Sequence, residues 1–183
     1  MQRLTAMDAN FLYIETPETP MHGASVQFLE LPDGYEGDFF AEFTDHMVRA
    51  IPHFPFFHQR LHQTPLHLDH PVWVEAADID LDYHVRHEVL DPPGEPEQLI
   101  ELVERLHVPL LDRDRPLWCY TLIEGLASGQ VGLHTKAHHA CMDGMASQEL
   151  LRRFYSTSPD PVPFEPVSAL PREPEPTAVA MLR

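Results

Sequence analysis

Gln130-Val131-Gly132-Leu133-His134-Thr135-Lys136-Ala137-His138-His139-Ala140-Cys141-Met142-Asp143-Gly144 is the stretch on which the reading of this chain turns. Val131, Leu133, Thr135 and Ala137 alternate with their neighbours, which predicts a strand over 130–137. Residues 144–155 predict a helix. Between them, two adjacent imidazoles precede a short turn that ends in Asp-Gly. An imidazole titrates close to neutral pH, so it can take a proton and return it within one turnover. A strand-to-helix junction is also a place where a rigid scaffold exposes catalytic side chains. The stretch therefore predicts acid–base chemistry at a fixed position.

The neighbouring segments predict a mixture of strands and helices. Residues 22–29 follow the turn-forming Thr19-Pro20 and predict a strand. Over 38–51, Phe39, Phe43, Met47 and Ile51 recur every four residues behind a capping Asp38, the pattern of an amphipathic helix that Pro52 ends. The His-, Pro- and Phe-rich stretch 53–71 reads as an irregular, partly buried loop, and 72–75 as a short strand. Tyr83, Val85, His87 and Val89 alternate, predicting a strand over 82–90 with those four buried. After the turn Asp91-Pro92-Pro93-Gly94, a helix over 96–108 places Leu99, Leu102, Val103 and Leu106 on one face. Segments 117–124 and 131–137 predict an antiparallel pair joined by 125–129. Seven of the 19 prolines fall between 159 and 176, so 156–183 reads as a Pro-rich linker or tail after a folded unit over 1–155. No strict βαβ rhythm appears; an α/β (α+β) two-layer sandwich with a mixed sheet is expected.

Composition narrows the partners. The chain has 183 residues, 43% of them hydrophobic, enough for one domain with a real core. Twelve basic residues against 29 acidic ones leave a formal charge of −17, so no nucleic-acid partner is expected. Lys136 is the only lysine. Two cysteines, Cys119 and Cys141, do not make a disulfide scaffold, and a reducing cytoplasm is the default compartment. The N-terminus lacks a signal-peptide h-region and no window is apolar enough to span a bilayer, so only peripheral membrane contact is expected.

The motif admits other readings. His134, His138, His139 and Asp143 resemble a metal cluster, but on a strand His134 and His138 lie about 13 Å apart, too far for one ion; no metal is expected. Cys141, two residues from His139, is a candidate nucleophile activated by an imidazole, or a small buried side chain. With 13 histidines in the chain, the pair is also open to an ordinary structural reading. Asp143 and Gly144 at a fixed offset weaken it, since Asp can orient a turn and Gly admits backbone that other residues avoid.

His138-His139-x3-Asp143-Gly144 resembles the HHxxxDG motif of the CoA-dependent acyltransferase superfamily. Three further segments resemble bacterial wax ester synthase/diacylglycerol acyltransferases: Leu4-Thr5-Ala6-Met7-Asp8-Ala9 with Glu15-Thr16-Pro17-Glu18-Thr19-Pro20-Met21-His22; Asp78-Ile79-Asp80-Leu81-Asp82-Tyr83-His84-Val85-Arg86-His87; and Arg115-Pro116-Leu117-Trp118, the PLW motif. The resemblance runs in order over nearly all of 1–155. It implies a chloramphenicol acetyltransferase-like N-terminal lobe and transfer of a fatty acyl group from acyl-CoA to a long-chain alcohol or diacylglycerol. It implies His139 as general base, His138 and Gly144 as supporting residues, and Asp143 as a brace paired with Arg113, Arg115 or Arg86. Pro116, Leu117 and Trp118 read as packing at a strand start. No cofactor is implied, because acyl-CoA is a substrate. Family members have two lobes around a tunnel, so a C-terminal lobe or second chain is expected as partner, with basic residues for the CoA phosphates. Peripheral contact with a membrane or lipid droplet is the expected location. Two alternatives remain: a non-catalytic lobe that binds lipid or a partner, and a condensation-type acyltransferase that uses a carrier protein.

Overall fold

The computed structural model describes residues 2–141, 144–156, 158, 163–165, 167 and 176–181. Its centre is a four-stranded mixed sheet of β2 (His22–Leu29), β7 (Val131–His138), β6 (Trp118–Glu124) and β5 (Val85–Val89), in that order. β7 runs antiparallel to both β2 and β6, while β5 lies parallel to β6. A three-stranded antiparallel sheet, β1 (Gln2–Arg3), β4 (Val72–Glu75) and β3 (Gln59–His62), stands beside it.

Alternation along the strands assigns the two faces of the large sheet. Tyr120, Leu122, Val131 and Leu133 meet α2 (Phe39–Ala50), through Phe43 and Met47, and α6 (Gly144–Phe154), through Leu150 and Phe154. On the opposite face Ile123 meets Leu99 and Leu102 of α5 (Pro96–His107). Asp38 caps α2 by accepting the Ala41 N–H at 3.0 Å. In α5, Glu95 and Gln98 form a capping box ahead of Pro96 at the first helical position. A third cluster joins Ala9 and Leu12 of α1 (Ala6–Ile14) to Leu61, Trp73, Leu117 and Ala140, so α1 packs against the turn after β7.

The structure corrects two expectations. The stretch 53–71 is not an irregular loop: it holds a helical turn, α3 (Pro55–His58), then β3 and a further turn. Pairing of β3 with β4 decides this, a non-local contact that no short window of sequence contains. Strand β5 begins only at Val85, after a helical turn, α4 (Leu81–His84), that Asp80 caps. Of the four residues expected to be buried there, only Val85 is; Val89 is 63% exposed. Tyr83 belongs to the helical turn instead, and His87 is exposed although Phe40 of α2 stacks on its ring with centroids 4.6 Å apart.

Residues 177–181, in the Pro-rich stretch, return to the body. A last helical turn, α7 (Ala178–Met181), buries Met181 against Val72 and Val74, and Arg3 donates to the Met181 carbonyl at 2.9 Å. No helix among the described residues is long and apolar enough to cross a membrane.

Candidate active site

The ladder of β7 carries His138 to the end of the sheet. It stands opposite His22, and its N–H donates to the Leu117 carbonyl at 3.0 Å. The side chain is buried, at 1% exposure. Its Nδ1 accepts the Ala140 N–H at 2.9 Å, so in the neutral ring the proton sits on Nε2. Nε2 faces Glu15 Oε1 at 3.2 Å, too oblique for a full hydrogen bond. Burial lowers the proton affinity of His138; the Glu15 charge opposes this without overcoming it. His138 thus turns the chain and holds a fixed tautomer.

The chain then enters a tight turn, His139–Cys141. The His139 N–H donates to the Met21 carbonyl at 2.9 Å. Its side chain is exposed, with Phe11 of α1 on one flank, ring centroids 5.3 Å apart. Gly23 lies on the other flank. A Cβ there would lie 3.6 Å from His139 Cε1, an ordinary contact distance, so the ring packs directly over β2. The ring borders an open cleft of about 300 Å³ between α6 and the strands β2 and β7. No polar side chain among the described residues hydrogen-bonds the ring, which leaves its nitrogens available to a substrate.

Glu15 organises this corner. Its side chain is 1% exposed and accepts from Arg113 Nη2 at 2.9 Å and from the Met21 N–H at 3.1 Å. Arg113 also donates to the Leu12 carbonyl at 2.7 Å. One carboxylate therefore ties the end of α1, the loop before β2 and both histidines into a single unit. Burial by itself would raise the Glu15 pKa. The Arg113 hydrogen bond, the Met21 N–H and the charges of His138 and Arg113 outweigh it and hold the carboxyl below its ordinary value. No sequence pattern pointed to this role: Glu15 lies in a quoted segment, but its contact with His138 spans more than 120 positions. Glu15→Ala would leave Arg113 and His138 without their carboxylate and the Met21 N–H without an acceptor. A loss of about 3 kcal/mol is expected, read by urea denaturation. A wild-type midpoint would refute it.

Cys141 behaves as a packed thiol. Its Sγ donates to the His138 carbonyl at 3.0 Å and lies 3.7 Å from that of Leu117. Burial pushes the thiol up to about 12, so little nucleophilic thiolate exists at neutral pH. Leu117 and Trp118 are buried at the start of β6. Trp118 Nε1 donates to the Phe57 carbonyl at 3.0 Å, and the Trp118 N–H to the Pro116 carbonyl at 2.9 Å. Leu117 thus contributes packing and the carbonyl that fixes His138. Gly144 opens α6. Asp143 lies outside the described residues. Of the arginines named for it, Arg113 holds Glu15, Arg115 holds Asp80 at 2.6 Å and Asp112 at 3.3 Å, and Arg86 donates to the Tyr83 carbonyl at 2.9 Å.

Lys136 points to the other face. Its Nζ donates to the carbonyls of Leu106, His107 and Pro109, capping the C-terminus of α5. Burial lowers its pKa to about 8. The only lysine is thus a cap, remote from His139.

A family model described as the wax ester synthase/diacylglycerol acyltransferase catalytic domain matches residues 4–182. A probable diacylglycerol O-acyltransferase of Mycobacterium tuberculosis is 37% identical over 174 residues, which is 95% of this chain and 38% of that protein. The structure of a wax ester synthase/diacylglycerol acyltransferase from Marinobacter aquaeolei superposes with a TM-score of 0.75 at 37% identity, covering 93% of this chain and 41% of that one. The starter condensation domain of rhizomide synthetase shares the fold, at a TM-score of 0.61 and 17% identity. The chain thus spans about two fifths of the length of the relatives it matches.

Proposed function

Since the chain belongs to the wax ester synthase/diacylglycerol acyltransferase family, we propose that it is the His-bearing lobe of an enzyme that transfers a fatty acyl group from acyl-CoA to a long-chain alcohol or diacylglycerol. The observation that carries this reading is the placement of His139: an imidazole whose nitrogens have no hydrogen-bond partner among the described residues, fixed through its backbone at the mouth of a cleft. In this mechanism His139 takes the proton of the acceptor hydroxyl as its oxygen attacks the thioester carbonyl. The C–S bond of the tetrahedral adduct then breaks, and His139 returns the proton to the CoA thiolate. The transfer is direct, so Cys141 carries no acyl group. His138 and Glu15 position the base. Asp143 and Gly144 support the turn.

The site is completed by a C-terminal lobe or a second chain, which supplies the opposite wall and basic groups for the CoA phosphates. Residues 156–183 form the connection toward it. The substrates are apolar, so the reading includes peripheral contact with a membrane or lipid-droplet surface on the cytoplasmic side. The test is ester formation from palmitoyl-CoA with hexadecanol or dipalmitoylglycerol. It is run on the chain alone and on the chain joined to the remaining part of the mycobacterial relative, with wild type and His139→Ala compared. Equal ester formation in both would sink the proposal. Turnover only with a carrier-bound donor would favour the condensation-type reading. Partner or lipid binding without turnover would favour a non-catalytic lobe.

A further inference from the structure

The face of the large sheet beneath His139 continues past the first cleft. Gly23, Ser25, Gln27 and Leu29 of β2 share one face by alternation, beside Ala137, Thr135 and Leu133 of β7. The residues from Gly23 to Thr135 line the cleft at His139. Leu29 and Leu133 line a second, larger cavity of about 930 Å³, with Phe39, Phe43 and Phe154 among its walls. Tyr155, just after α6, borders both cavities. Its hydroxyl donates to Gln27 Oε1 at 2.5 Å, a bridge across the line from His139 to the second cavity.

We infer that the Tyr155–Gln27 bridge is a stop that sets the length of the alkyl chain accepted at His139. The inference rests on the reading proposed above and adds the residues that limit chain length. Gly23 to Gln27 spans about 13 Å of extended strand. The first cleft holds a chain of about ten carbons if each takes about the ~30 Å³ share of a water molecule. A straight alkyl chain is the occupant because Tyr120, Ala137, Leu150 and Leu151 line the cleft at His139 and Leu29, Leu133, Phe39, Phe43 and Phe154 continue an apolar wall beyond the bridge, with Glu42, His46, Arg152 and Arg153 also bordering the second cavity. Its reacting end sits at an imidazole. A chain ending at the bridge loses nothing; a longer one must break the hydrogen bond and displace the Tyr155 ring.

The probes are octanoyl-, decanoyl-, lauroyl- and stearoyl-CoA, and the alcohols of matching length, titrated by calorimetry into the 183-residue chain. In wild type, affinity is expected to rise about fourfold per methylene, as buried CH₂ groups do, and to level off near ten to twelve carbons. Tyr155→Ala removes the stop from the helix side. Gln27→Ala loosens it from the strand side and guards against a folding defect in the first variant. Either is expected to extend the rise, so that stearoyl binds at least tenfold tighter than lauroyl. Tyr155→Phe keeps the ring and is expected to keep the plateau near its wild-type length. Whether the plateau appears with the CoA esters or the alcohols identifies which substrate supplies the chain. An unbroken rise through stearoyl in wild type, or an unchanged plateau in both opening variants, would overturn the inference. His139→Ala separates the two claims: loss of ester formation reports on the base, while the chain length at which the binding series levels off, whatever the absolute affinity of that variant, reports on the stop.

Discussion

His139→Ala is expected to lower the rate of ester formation by ~10²–10⁴, the usual worth of a positioned general base, with stability changed by less than about 0.5 kcal/mol. The two effects separate because of where the residue sits. Its ring is exposed at the cleft, while the contact that fixes the turn is made by its backbone N–H to Met21 and survives the substitution. The lost ring contact with Phe11 is small beside a buried core truncation. Any residual rate would come from holding the acceptor hydroxyl beside the thioester, which does not need the imidazole. Cys141→Ala is the control. Its thiol donates to backbone carbonyls and has a pKa near 12, so activity should persist. Steady-state kinetics with urea denaturation of the same preparations checks both halves. Loss of activity in Cys141→Ala with activity kept in His139→Ala would reverse the assignment.

Lowering the pH from 7 toward 4 is expected to unfold the chain, with the main loss of structure near pH 5. His22, His84 and His134 are buried, and burial, the leading cause in each, lowers their pKa values from 6.5 to about 4. The Lys136 charge adds to this at His22 and His134, while at His84 the hydrogen bond to the Trp118 carbonyl opposes it. The folded state therefore binds fewer protons than the unfolded chain between pH 6.5 and 4. The stability these residues contribute is complete above 6.5 and is lost as pH falls through that window. Each shift is worth roughly 3 kcal/mol, and three of them rival the 5–15 kcal/mol that holds a typical domain together. Glu15 changes stability in the same direction, because its carboxyl is held below its ordinary value. Circular dichroism followed against pH measures the effect. His134→Leu removes one titration from a site where neither ring nitrogen has a hydrogen-bond partner among the described residues. It should move the midpoint to lower pH. Native ellipticity retained at pH 4 would show that the buried histidines can charge without opening the fold.

Local pattern was enough for much of the fold. The four-residue recurrence of Phe39, Phe43, Met47 and Ile51 predicted α2, and the alternation over 131–137 predicted β7, because each element has one buried face whose period is written in consecutive residues. The alternation of Val131, Leu133, Thr135 and Ala137 placed His134 and His138 on a strand rather than a helix face, as observed. Where an element depends on a distant partner, that period fails. β3 exists through its pairing with β4, and the expected buried face of β5 is broken because Tyr83 belongs to a capped helical turn and Val89 at the far end is left 63% exposed.

The same division runs through the candidate site. His138, His139, Cys141 and the Pro116-Leu117-Trp118 segment were legible because residue type and spacing carry their chemistry. Sequence by itself determined that two imidazoles would stand where a strand gives way to a helix. The resemblance already implied His139 as base and His138 as support; only the tertiary structure decided what surrounds each ring. It buries His138 with its Nδ1 occupied and exposes His139 at a cleft. It also brings Glu15 and Arg113 from remote segments to hold the pair. Proton affinity, burial and hydrogen-bond partners depend on which groups folding brings within a few ångströms, and that proximity is not a property of neighbouring positions along the chain.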